Sequence, residues 1–152
     1  MSIDAIRARL VSDLGGISGV TKVYKDEPNI STGAPDCPAF VLSFASPACD
    51  AQSQTNSTIE YTWHFEIRFL YKPVGLGNID ENMSATEDFI KLFVDKMSAN
   101  ITGGGTWQDW NKDTGGLSFT VGLVELFAGE NAKLFWGFTC NLDITETVIT
   151  TM

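Results

Sequence analysis

Apolar or aromatic side chains fill every odd position from Ile59 to Tyr71, and Glu60, Thr62, His64, Glu66, Arg68 and Lys72 occupy most of the even ones. Period-two alternation of this kind predicts a β-strand with one buried face and one wet face. Straight, the residues from Thr58 to Tyr71 would span ~46 Å, whereas a compact chain of this size is ~38 Å across. The ribbon therefore bends or overhangs, and an overhang carries backbone groups that another chain could satisfy, which predicts oligomerisation through strand edges or ends.

Helical spacing appears twice. Ile3, Ile6, Leu10 and Leu14, with Val11 beside them, predict a helix over 3–14 that Gly15 and Gly16 stop, with Arg7, Arg9 and Asp13 on its solvent side. Met83, Phe89, Ile90, Phe93, Met97 and Ile101 predict a second amphipathic helix over about 80–100. Strands are expected at 20–26, at 39–46 (AFVLSFAS, apolar on both faces and so deep in a sheet), at 117–127 and at 134–149. The last of these places Leu134, Trp136, Phe138, Cys140, Leu142 and Ile144 on one face. The small, polar stretch 47–57 and the segments 73–79 and 102–116 are expected as loops. This order lacks the strict alternation of a parallel sheet. It predicts a single α+β domain over 1–152, an antiparallel or mixed sheet with both helices packed on its aromatic face.

Composition narrows the partners. Ten Lys and Arg against 19 Asp and Glu give a net charge of -9, the opposite of a phosphate-gripping surface, although an acidic wall lets DNA pass without holding it. The N-terminus has no apolar signal core and no run approaches a membrane span, so a soluble, cytosolically made protein without a membrane partner is expected. On that ground the sequons at Asn29, Asn56, Asn82 and Asn100 are not taken as glycosylation sites. Cys37, Cys49 and Cys140 are odd in number and lack metal-ligand spacing, and the extended run between the first two would hold them ~30 Å apart, so free thiols are expected.

Catalytic and ligand motifs fail on inspection. His64, the one histidine, has no local nucleophile motif. The GLG at Gly75 to Gly77 follows a strand and precedes a helix, but Asp80 stands where a dinucleotide fingerprint needs its third glycine. Asp109, Asn111 and Asp113 open like a calcium loop, then Thr114 and Thr120 replace the required Gly and Glu. Glu60 and Glu66 lie roughly 20 Å apart along a strand, too far to share a proton. No catalytic residue, cofactor or metal is assigned. Trp107 and Trp110, large aromatics in a glycine-rich loop, and the ribbon's even-face residues Glu60, His64, Glu66 and Arg68 are the candidate interface.

In element order and size, nearly the whole chain resembles the tail terminator (minor tail) proteins of long-tailed bacteriophages. The likeness is carried by MSIDAIRARLVSDL with its glycine stop, GVTKVYKDEP, CPAFVLSF, TWHFEIRFLYKP, ATEDFIKLFVDKM and LFWGFTCNLDIT. It implies a structural virion protein, assembled in the host cytoplasm. Such a protein forms a ring, usually a hexamer, on the tail tube, ends tube growth and joins the tail to the neck or head, with DNA passing through its channel. Its partners would be its own copies, the tube protein and a neck or head-completion protein. Other phage neck, connector and tail-completion proteins share this size and makeup, and a non-viral binding module with an apolar guest on the ribbon's odd face is a further reading. The discriminator is whether the helices cover that face.

Overall fold

A computed structural model describes residues 3–25, 37–55, 57–74, 79–99, 109–110, 117–126 and 133–149. In chain order the elements are α1 (Ile3–Gly15), β1 (Lys22–Tyr24), β2 (Ala39–Thr55), β3 (Thr58–Pro73), α2 (Ile79–Ala99), β4 (Asp109–Trp110), β5 (Phe119–Leu126) and β6 (Lys133–Ile149). The fold is α+β. One sheet runs β1-β2-β3-β6-β4, with β5 also paired to β6, and it is mixed because β1 lies parallel to β2 while the other pairs are antiparallel.

Both helices bury their apolar stripe on the odd face of β3. Ile6, Leu10 and Leu14 from α1 and Phe93 and Met97 from α2 join Phe40, Leu42, Phe65, Ile67, Phe69, Phe138, Cys140, Leu142 and Ile144 in one core. Its centre is aromatic: the Phe69 and Phe138 rings stack at 5.1 Å, Phe40 lies 4.9 Å from Phe69, and Phe93 meets Phe119 edge-on at 5.7 Å. Fully burying each such ring is worth roughly 1.5–3 kcal/mol, which makes this cluster the main source of stability. Gly19 lets the chain turn beneath it. It has a positive φ of 91°, and a Cβ there would stand 3.0 Å from the Phe89 ring, so only glycine is comfortable.

A second, smaller core lies on the sheet's other face, where Val41, Leu70, Val124, Leu126 and Phe135 pack together with Tyr24 and Cys37. It corrects the expectation for the start of β6. Leu134 is 43% exposed and Trp136 half-buried, while Phe135 between them is buried beside Val124, its partner in the ladder. The apolar alternation of β6 continues through this region, but the helices do not cover it there. Where β3 bulges at Tyr71, Gly137 comes so close to β3 that a Cβ would collide with the Phe69 carbonyl.

Two further expectations change. Asp13 is buried, not solvent-facing: it pairs with Arg9 one turn earlier, Nε to Oδ1 at 3.2 Å, which satisfies the carboxylate inside. The stretch 47–57, expected as a loop, continues β2 as far as Thr55 and closes a tight hairpin onto Thr58. Between the pairs Phe44 with Phe65 and Cys49 with Trp63, residues 45–48 lie opposite the single residue His64. This large bulge reverses the strand's parity. Phe40, Leu42 and Phe44 share the helix-covered face before it, whereas Cys49, Ala51 and Ser53 share that face after it. At ~3.3 Å per residue β3 spans ~50 Å, against ~30 Å for α2, so no single helix could cover the whole ribbon.

Candidate functional site

The even face of β3 carries four of the six predicted site residues, Glu60, His64, Glu66 and Arg68, and the ladder decides their neighbours. Glu60, Thr62, His64, Glu66 and Arg68 stand opposite Thr147, Thr145, Asp143, Asn141 and Thr139 of β6. On the β2 side Glu60 meets Gln52, Thr62 meets Asp50 and Glu66 meets Ser43, so polar residues face one another across three strands.

Of these, His64 is the most heavily engaged. Its Nδ1 lies 2.7 Å from Asp143 Oδ1, and its Nε2 lies 2.7 Å from Asp50 Oδ2. Asp143 is the register partner of His64. Asp50 sits diagonally across on β2, just past the bulge, and reaches the ring because β2 has no residue in register with His64. Burial alone would push the imidazole pKa down. Hydrogen bonds to Asp143 and Asp50 and the charges on both carboxylates outweigh it, and the value is raised above the ordinary 6.5. Ala45, Ser46 and Pro47 from the bulge, with Asn141 from β6, complete an open cleft of about 400 Å³ around this group.

Ser46, His64 and Asp143 thus line one cleft, the residue types of a hydrolytic triad. Activating a hydroxyl requires a ring nitrogen free to take its proton, and here both nitrogens face carboxylates. The arrangement is a brace between strands. Among the described residues no cluster of His, Cys, Asp and Glu has the geometry to hold a metal ion.

The remaining candidates scatter. Arg68 is largely buried and donates from Nη1 to the Glu125 carbonyl at 3.1 Å, tying β3 to the end of β5, while its Nε lies 3.6 Å from Glu66. Glu66 leaves its side chain 40% exposed, whereas Glu60 is buried. Trp110 falls in β4, in register with Ile144, and Trp107 lies outside the described residues, as do Gly75 to Gly77, Asn111 and Asp113. On the odd face, Trp63 donates from Nε1 to Glu146 Oε2 at 3.0 Å and stacks on Tyr61 at 6.1 Å. Sequence reasoning missed Asp50, Asp143 and Glu146. The Asp50 and Asp143 carboxylates become legible only once register sets them beside His64.

The thiols offer no reactive alternative. All three cysteines are free; burial pushes Cys140 up to about 12, and burial with the charges of Asp50 and Glu146 raises Cys49. Asn82, one of the four sequons, is buried inside α2. No described helix is long and apolar enough to cross a membrane. No model of a known protein family matches the chain, and no curated protein does.

Proposed function

We propose that the chain is a structural assembly protein of the tail-terminator kind: a ring, of about six copies, that caps a tail tube, ends its growth and joins it to the neck while DNA passes through. The observation that carries this reading is the long β2–β3–β6 ribbon. Beyond the three residues paired with β1, β2 has no described strand on its outer edge, and β6 beyond Thr145 has none on its own. Edges of that length ask for a neighbouring chain. The net charge of -9 suits a wall that must not retain a polyanion.

A module holding an apolar guest on the odd face of β3 is disfavoured, because the helices already occupy that face from Phe65 to Phe69. A guest would have to displace them. Light-scattering mass with negative-stain imaging of the purified chain tests the proposal: rings with an axial hole are expected, and discrete monomers at high concentration, persisting when tail components are added, would refute it.

A further inference from the structure

Independently of the assembly reading, we propose that His64 is a proton-operated latch: the imidazolium, gripped by Asp50 of β2 and Asp143 of β6, holds the distal half of β2 against the sheet, and loss of its proton releases Asp50.

The argument begins with proton counting. A neutral imidazole has one N–H and one lone pair, whereas here each ring nitrogen stands 2.7 Å from a carboxylate oxygen. With both acids ionised, only the doubly protonated ring can donate to both. Remove one proton and a lone pair faces a carboxylate at hydrogen-bond distance, so one contact must open. Asp143 is the directly opposed residue on a strand laddered to β3 along its whole length, and its side chain is 29% exposed. Asp50 is 68% exposed and follows the four residues that have left the ladder. It is the partner that can move away at least cost, and water is ready to solvate it.

The surroundings favour the charged ring. The acids nearest the ring on this face are Asp50 from β2, Asp143 from β6 and, two residues along β3, Glu66, with Glu60 four residues the other way; Asn141 and Ser46 close the cleft without charge. Arg68, the nearest cation along the strand, is directed to Glu66 and the Glu125 carbonyl. Both helices pack on the opposite face. The sign follows from the raised imidazole value: the brace contributes fully below about pH 6.5 and is lost as pH rises through the folded-state value. What it governs is local. Gln52 and Ser53 lie beyond Asp50 on an exposed strand half, so release affects segment 49–55 and leaves the aromatic core intact.

Because the chain has one histidine, its imidazole proton resonance needs no assignment. Titration of the full chain should place the midpoint above 6.5. Across that midpoint, amide-exchange protection factors of 49–55, corrected for intrinsic rates, should fall severalfold relative to those of 65–70. Asp50→Asn is the decisive variant: its exposed amide can donate to a neutral ring, so the midpoint should drop and the protection should cease to follow pH. A midpoint at or below 6.5, protection of 49–55 that ignores the midpoint, or Asp50→Asn behaving as the parent would each overturn the latch.

Discussion

The two halves of β2 belong to one strand of one sheet, yet Ala39 to Leu42 are wholly buried while Asp50 to Ser53 are exposed. Both halves pair with β3 in antiparallel register, but only Ala39 to Val41 are also paired with β1, and the distal ladder shifts register between Ser53 and Thr55. The larger difference is the material laid over them. The first half lies between the helix-covered aromatic core and the smaller core behind the sheet; the second is held by cross-strand contacts such as the His64 brace. Contacts of that kind contribute roughly 0.2–1 kcal/mol each, against roughly 1.5–3 for each fully buried large apolar side chain. The same strand therefore combines an anchored root with an arm that small changes can loosen.

The contrast is easiest to break at the root. Phe65, buried and stacked on Phe44 at 5.1 Å, stands on the core face one residue from the wet face. Phe65→Asp places an unpaired charge there and should cost about 4 kcal/mol or more, enough to unfold much of the population in a urea titration. Next in size, Phe40→Ala should lose roughly 3–5 kcal/mol by opening a cavity among Phe69, Phe93 and Phe138, whereas Gln52→Ala on the exposed half should stay within about 0.5. Comparable losses from these two would show that the halves are not energetically distinct. Smaller again, Gly137→Ala pushes a methyl group into the Phe69 carbonyl and should cost roughly 1–3 kcal/mol, with altered amide exchange around Leu70 and Tyr71. A neutral result there would mean that β6 can back away from β3 freely.

Much of this was legible from the chain. The helices begin and end within a residue or two of the apolar spacing, and the odd face of β3 is the covered one, because periodicity reports directly which side is buried. The distal half of β2 was not legible. The bulge at 45–48 switches the positions on the helix side of the sheet from even to odd numbers, and small polar residues such as Asp50, Gln52 and Ser53 imitate a loop. At the start of β6 the alternation was right, but the extent of helix cover was not, since Leu134 continues the pattern beyond what packs on it. The His64 brace escaped for another reason. Its partners are 14 and 79 residues away, and only register sets three strands' side chains within 2.7 Å.

The smallest expected effect is the sharpest check on the faces themselves. Glu66 follows Phe65 directly, points the other way, and is partly exposed, so Glu66→Lys changes charge by two units with little change in burial. It loses the 3.6 Å approach to Arg68 and sets like charges side by side, a change that solvent at an exposed site limits to about 1 kcal/mol. Arg68 retains its bond to the Glu125 carbonyl, so its guanidinium stays anchored. Parallel urea titrations should therefore separate Phe65→Asp from Glu66→Lys by about 3 kcal/mol or more, adjacent residues differing only in the side of the sheet they occupy. Equal losses would mean that the even face is covered as fully as the odd one, and the assignment of that side of the ribbon as its wet face would have to be abandoned.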